Sequence, residues 1–463
     1  MSLSRTAVRL AALAAALAGL AVAAPVAGAS EAGAARALER YRDDPARLRD
    51  FLWTMPKGGD LHMHLSGAVY AESMIRYGAR DGDCVDPLSL ESAPPPCVPG
   101  ARPIADALTD NVFQNRLMRA WSMKGFVEGD ESGHDHFFAT FDKYGAALDG
   151  HEGEGLATVA ARARAQSESY LEVLNTPRFG DVLGVTKKVA YTPDFAELRK
   201  RLLAAGLLDA VPKARADLDA LLAQEHAADP SDVPLIRFDV QVLRAFGPLV
   251  VYAQMVLGYE LMKDDPRWVG INMVQPEDDN TALKDYRLQM TMLRYLRGVY
   301  PKGHITLHAG ELTPGIAPPA DLRFHIRDAV EVAGAERIGH GVDILSERDP
   351  VGLAREMARR DVLVEVPLTS NRQILGVSGK AHPLRFYLRN HVPVALATDD
   401  EGVSRTDMTA QYEQAAREQG LGYRTLKRIA TDALRHAFLP DGTRALLLRK
   451  QGRAFARFEA RYP

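Results

Sequence analysis

Short runs of β-branched and other apolar residues alternate with longer stretches of helical period along most of the chain. The apolar runs predict strands at residues 59–65, 169–174, 235–243, 268–274, 305–308, 337–341, 362–366 and 392–398. Amphipathic stretches between them, among them 281–297, 324–333, 350–360 and 380–390, predict helices. This alternation implies βαβ units and a parallel sheet, arranged either as a closed (β/α)8 TIM barrel or as an open doubly wound sheet.

Polar residues choose between the two. Clusters stand at or near the C-terminal ends of five strands: His62 with His64, Gln275-Pro276-Glu277, His308-Ala309-Gly310-Glu311, His340-Gly341-Val342-Asp343, and Asp399-Asp400-Glu401. A closed barrel brings all these ends to one mouth, whereas an open sheet spreads them along an edge. The expected fold is therefore an α/β TIM barrel with extra helices and an insertion after the first strand, at about residues 78–165. Within it, 78–105 is the Cys-bearing loop, whose stretch 83–100 is Pro-rich with no helical or strand period, and 106–165 reads as helical with a helix start at 130–136. Residues 193–232 read as one or two outer helices, and no internal repeat or low-complexity linker calls for a second domain.

Composition narrows the partners. A chain of 463 residues, 46% of them hydrophobic, can bury a large core. Its formal net charge is -3 and it has no long Lys or Arg run, so a small polar substrate suits it better than nucleic acid or an anionic membrane. Arg5 and Arg9, an apolar stretch at 10–24 and Ala27-Gly28-Ala29 before Ser30 have the order of a secretory signal peptide, expected at 1–29. The apolar stretch is short for a membrane span. The expected product is exported, periplasmic or secreted, without a stable membrane anchor after cleavage; a helical segment occupies 30–54 and the barrel 55–463. In that setting Cys84 and Cys97, the only cysteines, are expected to form a disulfide rather than a metal pair. Closing this loop is worth about 3 kcal/mol in the chain-entropy account.

Side chains at i and i+2 of a strand share a face, so His62 and His64 both point toward the barrel interior. Two imidazoles so placed can converge on a zinc ion or form a hydrogen-bonded polar pair. His308 and Glu311 add a third imidazole and a carboxylate, or else make a solvated turn. His340 lies between glycines that leave its ring accessible, or is simply a turn histidine. The adjacent Asp399 and Asp400 repel each other unless a cation, a substrate donor or a helix N-terminus takes up the charge. Three histidines and an aspartate with one open position describe a catalytic zinc site, in which the pKa of bound water falls from about 15.7 to about 7. With both cysteines elsewhere the ligands are nitrogen and oxygen, which excludes the zinc deaminases that carry a Pro-Cys-x-x-Cys motif.

Met55–Gly67 (MPKGGDLHMHLSG), HAGE at 308–311, RIGHG at 337–341, Thr369-Ser370-Asn371 and Thr398-Asp399-Asp400, in this order, resemble the motifs of the adenosine/AMP deaminase family of metal-dependent amidohydrolase barrels. The signal peptide, the N-terminal helical segment and the two-Cys insertion further resemble the secreted adenosine deaminase-related growth factors. The resemblance implies zinc ligation by His62, His64, His308 and Asp399. It also implies that Glu311 protonates the purine ring nitrogen, that His340 orients and deprotonates the attacking water, and that Asp400 bonds the five-membered ring. Relatives with this insertion suggest a homodimer. The activity so implied is hydrolytic deamination of adenosine or 2'-deoxyadenosine to the inosine nucleoside and ammonia. The alternatives are an amidohydrolase acting on another aminopurine or a cyclic amide, and a non-catalytic nucleoside-binding, growth-factor-like protein.

Two departures from the family pattern stand out. Gln275-Pro276 replaces a glycine whose amide contacts the purine, and Glu401-Gly402 follows the paired aspartates where relatives commonly have proline. Substrate contacts are expected from His64, Asp400, Gln275 and, through strand alternation, Glu172; Ser370 and Asn371 either bind substrate or make a turn. His134 and His136 are expected at a pocket rim or on the surface, His304, His325, His382 and His391 as ordinary polar residues, and 264–267 as a solvated helix end.

Overall fold

The computed structural model describes residues 27–463, so residues 1–26 of the expected signal peptide lie outside the described residues. Eight parallel strands pair in chain order: β1 (Gly58–His64), β2 (Glu168–Asn175), β3 (Leu235–Leu243), β4 (Trp268–Val274), β5 (His304–Ala309), β6 (Arg337–His340), β7 (Leu363–Val366) and β8 (Val394–Leu396). The ring closes just past β8, where His64 N–H donates to Asp399 O at 3.1 Å and Asp399 N–H donates to His62 O at 3.0 Å. The expected TIM barrel is thus the observed fold. β1, β4, β6, β7 and β8 are buried along their whole length, the signature of parallel strands covered by helices outside and by side chains within.

β3 and β4 have the bounds their sequence predicts, whereas the last strand is shorter than 392–398. Pro393 has no amide hydrogen to give, and the Thr398 N–H is taken by Asp60 Oδ2 at 3.0 Å instead of the ladder. The helix expected at 380–390 begins only at Leu384, behind Pro383, which disfavours helical backbone at His382. In place of a continuous helix at 324–333 the chain makes one α turn (His325–Asp328) and one π turn (Ala329–Ala333).

Helices Ala27–Tyr41 and Pro45–Thr54 are part of the barrel's core packing: Leu48, Phe51 and Leu52 are buried, and Phe51 meets Phe458 of the C-terminal helix (Asp441–Glu459) edge-on at 5.0 Å. Lys57 ties this segment to β1. Its buried ammonium donates to the carbonyls of Leu52 (2.5 Å), Trp53 (3.2 Å), Met55 (3.2 Å) and Gln166 (2.7 Å), capping the helix end where carbonyls lack partners.

The insertion between β1 and β2 contains the disulfide Cys84–Cys97, with Cα atoms 5.6 Å apart. Although 83–100 shows no strand period, the loop forms a small antiparallel sheet of Cys84–Val85, Ser92–Ala93 and Arg102–Pro103. Two-residue strands are too short to show a period in sequence. Four α-helices follow, at Asn111–Ala120, Gly133–Ala139, Phe141–Leu148 and Glu152–Ala165. No helix among the described residues is long and apolar enough to cross a membrane.

A candidate metal centre at the barrel mouth

His62, His64, His308 and Asp399 come from β1, β5 and the end of β8, yet each offers a ligand atom within 4.8 Å of all the others. His308 Nε2 lies 3.1 Å from His62 Nε2 and 3.2 Å from His64 Nε2, and Asp399 Oδ1 lies 3.2 Å from His64 Nε2. All four residues are buried.

What the other ring nitrogens do gives this cluster its meaning. His62 Nδ1 bonds Glu365 Oε2, His64 Nδ1 bonds Gln241 Oε1 and His308 Nδ1 bonds Asn272 Oδ1, each at 2.9 Å. Each Nδ1 therefore donates to an oxygen, which leaves a lone pair on each Nε2 directed at the others. Nitrogen lone pairs at 3.1–3.2 Å repel one another, and a cation among them turns that repulsion into coordination. Burial alone would depress the pKa of His62, but Asp399 and Glu365 raise it well above the ordinary value, so the centre favours positive charge, and a cation bound to Nε2 would take the place of the proton these carboxylates otherwise hold there. The donor set and its outer partners fit zinc.

Glycines in the motifs make room for these side chains. A Cβ at Gly339 would lie 2.6 Å from His62 Cε1, and one at Gly67 would collide with Asp400 Oδ1 at 1.7 Å. Gly310 has φ +76, and a Cβ there would meet Asp343 Oδ1 at 2.4 Å. The glycines beside His340 do not expose it, as their sequence position suggested; its side chain is fully enclosed, and Gly339 serves His62 instead. Gln275 (φ +80), His340 (φ +65) and Asp399 (φ +60) take left-handed backbone at strand ends, at about 1–3 kcal/mol each.

Glu311 and His340 face each other across the centre, Glu311 Oε1 lying 3.5 Å from His340 Nδ1. Burial, reinforced by Asp399 and Glu277, pushes the Glu311 carboxyl well above the usual carboxylate range, which favours its protonated form. Burial lowers His340 to about 4, with Asp399 opposing and His62 reinforcing, so its imidazole is neutral. His340 Nδ1 bonds Asn371 Oδ1 at 2.8 Å, and its buried Nε2 has no hydrogen-bond partner among the described residues. Burial pushes Asp400 up to about 7, opposed by His64 and assisted by Asp399.

Several side chains outside the four-residue cluster hold this arrangement. Glu277 accepts the N–H groups of Gly310 (3.1 Å) and Glu311 (2.8 Å), fixing the turn after β5. His325 bonds the same carboxylate at 2.6 Å and stacks on Tyr286 at 3.7 Å, and His382 meets the Asn371 amide at 2.9 Å; both are buried parts of the site's support rather than the ordinary polar residues expected. Ser370 Oγ donates to Asp399 Oδ2 at 2.6 Å. His304 stacks on Phe438 at 4.5 Å and His391 is exposed. Glu365, Asn272 and Gln241 gave no sequence signal beyond being polar positions inside apolar strands.

A cavity of about 360 Å3 opens over the centre, with His64, His308, Glu311, Asp399 and Asp400 at its base. Phe137, Phe138, Phe141 and Asp142 of the insertion form its rim. His134, beside them, bonds Asp278 at 3.1 Å, while His136 bonds Glu131 at 2.9 Å and the carbonyls of Arg119 and Ser122. Gln275 and Pro276 line the cavity, and Gln275 Oε1 is held by the Ala245 N–H at 3.0 Å. Glu172 is corrected: it does not reach this cavity. Its carboxylate lies in the barrel floor, bonded to Tyr170 Oη (2.7 Å), the Phe438 N–H (2.7 Å) and Arg337 (2.5 Å). Strand alternation places a side chain inside a barrel but does not say at which layer. Glu401 pairs with Arg162 of the helix Glu152–Ala165 at 2.8 Å, and a Cβ at Gly402 would lie 2.1 Å from Val69 O just past the short helix Leu65–Ala68, so the two residues fit the loop under Asp400 to both segments.

Residues 287–451 match the family model described as adenosine deaminase. The adenosine deaminase of Salmonella heidelberg (strain SL476) is 37% identical over 148 residues, which is 32% of this chain and 41% of the relative. The chain thus spans less than half the length of such curated relatives in its match. Among solved structures, adenine deaminase from Arthrobacter aurescens has a TM-score of 0.57 at 17% identity, over 86% of this chain and 98% of that one. An amidohydrolase from Burkholderia ambifaria with bound Zn has a TM-score of 0.56 at 17% identity, over 90% of this chain and 94% of that one. At these identities the structural likenesses speak to the fold alone.

Proposed function

We propose that this chain, which belongs to the adenosine/AMP deaminase family of the amidohydrolase superfamily, hydrolytically deaminates adenosine or 2'-deoxyadenosine with a zinc ion as cofactor. The observation that carries the reading is the convergence of three imidazole Nε2 atoms and Asp399 Oδ1, beside the buried Glu311 carboxyl, whose surroundings favour its protonated form. The zinc-bearing Burkholderia neighbour supports the choice of metal.

His62, His64, His308 and Asp399 would hold the ion, which supplies Lewis acidity and so brings the ionisation of water toward neutral pH. Glu311 holds the proton that the purine ring nitrogen needs as water adds to the amine-bearing carbon. His340 presents its free Nε2 to the attacking water, takes its proton and returns it to the departing ammonia. Asp400, with a pKa near 7, bonds the five-membered ring, and His64 and Gln275 border the bound base.

A second reading, another aminopurine or a cyclic amide as substrate, draws on Gln275 and Pro276. Pro276 offers no N–H at a position where the family glycine contacts the purine, and Gln275 adopts the left-handed φ that glycine favours. The Arthrobacter neighbour is an adenine deaminase. Export through the N-terminal signal and a homodimeric state complete the proposal; N-terminal sequencing of the mature protein and light scattering test them.

Purified protein should contain about one zinc per chain and should shift the ultraviolet absorbance of adenosine. Protein with its metal intact that leaves adenosine, 2'-deoxyadenosine and adenine unchanged would refute the substrate assignment.

A further inference from the structure

Asp400, the residue assigned to the five-membered ring of the purine, has no side-chain partner that aims it. Its buried Oδ1 makes no hydrogen bond among the described residues, and the carboxylate rests on Gly67, where a Cβ would stand 1.7 Å from it. The direction of the carboxylate is therefore inherited from the main chain: the helix Leu65–Ala68 it packs on and the turn Glu401–Ser404 that follows it.

Arg162 holds both. Its Nη2 donates to Ala68 O at 3.0 Å and to Glu401 Oε2 at 2.8 Å, and its Nε donates to Glu401 Oε1 at 3.2 Å. Two N–H donors of one planar fork on one carboxylate fix angle as well as distance, which the single ammonium of a lysine does not. The Arg162 Cζ also lies 4.3 Å from the centre of the Tyr70 ring, and Arg405 Cζ lies 4.9 Å from the same ring. The far end of the loop is tied to the same place. Tyr70 Oη donates to Thr406 O at 2.6 Å, and Arg405 pairs with Glu72 at 2.5 and 2.8 Å.

Glu401 occupies the first position of its turn. Proline suits such a position because its ring sets φ in advance. This chain has a buried glutamate there, restrained through its side chain instead. Beside Asp399 and Asp400 a third buried carboxylate would add to their repulsion, and Arg162 supplies the opposite charge.

We propose that Arg162 and Glu401 are positioning residues for Asp400: their ion pair holds the turn after β8 against the helix Leu65–Ala68 and so sets where the purine ring is met. This rests on the deaminase reading above.

The test compares Glu401→Ala and Arg162→Lys, each alone and combined with Asp400→Ala, with Glu401→Gln as the conservative variant, all zinc-loaded. Glutamate is truncated rather than arginine because the Arg162 side chain, 24% exposed, can turn to water, whereas a lone Glu401 carboxylate would stay buried and unpaired. Arg162→Lys keeps the charge without the fork and carries the test if the alanine variant does not fold. Either substitution should lower kcat/KM for adenosine by about 10–100-fold, chiefly by raising KM, because Asp400 meets the base and not the attacking water. Glu401→Gln still accepts an N–H and should lose at least about threefold less. Beside Asp400→Ala the loss should shrink to less than about threefold, because the group being positioned is gone. Zinc content should stay native throughout, and calorimetric binding of inosine should show the same coupling without needing turnover. Native activity in both variants, an undiminished loss beside Asp400→Ala, a loss confined to kcat, or zinc lost along with activity overturns the proposal, the last because the effect would then fall on Asp399. If no aminopurine is turned over, the deaminase reading fails. The coupling is then read from inosine binding alone, where its presence keeps the positioning role and its absence ends it.

Discussion

His62 Nδ1 donates to Glu365 Oε2 at 2.9 Å, from a residue 303 positions away, and neither side chain has any exposed surface. Glu365 is itself fixed by Arg337 Nε at 2.6 Å and Thr306 Oγ1 at 2.9 Å. The carboxylate has one orientation, the imidazole has one tautomer, and Nε2 is left facing the centre. Glu365→Gln should therefore weaken zinc binding by roughly 10–100-fold, read by competition with a chelating indicator. An unchanged zinc affinity would show that this carboxylate does not set the ligand geometry.

Glu311 lies beside the cluster without being one of its four convergent ligands. Glu311→Gln keeps the shape and removes the mobile proton, so kcat should fall by about 10²–10⁴ while zinc content and melting temperature stay at native values. Full turnover by the variant would contradict the proton-donor role.

Gly339 illustrates how little room the centre leaves. A methyl group there would press on His62 at 2.6 Å, so Gly339→Ala should destabilise the protein by about 1–3 kcal/mol and lower zinc occupancy. Gly442→Ala, whose added carbon meets nothing within 4 Å, is the control. Equal denaturation midpoints for the two variants would count against the packing account.

His134 links the inserted helix Gly133–Ala139 to the loop after β4 through Asp278 at 3.1 Å, with Asp135 on its other nitrogen at 3.0 Å. Burial lowers its pKa, but the two carboxylates outweigh burial and raise it above 6.5. A raised folded-state pKa means the stabilisation is complete below the unfolded value and is lost as pH rises through the folded one. Amide-exchange protection of 133–139, corrected for intrinsic rate, should fall as pH climbs above about 6.5, and His134→Phe should abolish that dependence. Protection that grows with pH would reverse the sign and defeat the argument.

The four cluster residues were legible in the chain because strand alternation aims His62 and His64 inward and because polar groups at apolar strand ends are conspicuous. Their outer partners were not. Gln241, Asn272 and Glu365 interrupt apolar strands singly, and nothing local distinguishes a polar side chain that orients a ligand from one that lines the barrel floor, as Glu172 does. The aromatic rim had the same fate: Phe137, Phe138 and Phe141 follow a helical spacing, but which face of their helices meets the mouth depends on how the insertion docks.

The sequence by itself determined the barrel, the positions of its strands and the residues able to bind a metal, because these follow from local period and from the rule that parallel strand ends share a mouth. Only the tertiary structure decided the tautomers of the histidines, the upward shift of the Glu311 carboxyl, the layer at which Glu172 sits and the pairing of Arg162 with Glu401. Each of these depends on burial and on partners brought together from distant parts of the chain, and neither desolvation nor long-range hydrogen bonding leaves a mark on the sequence nearby.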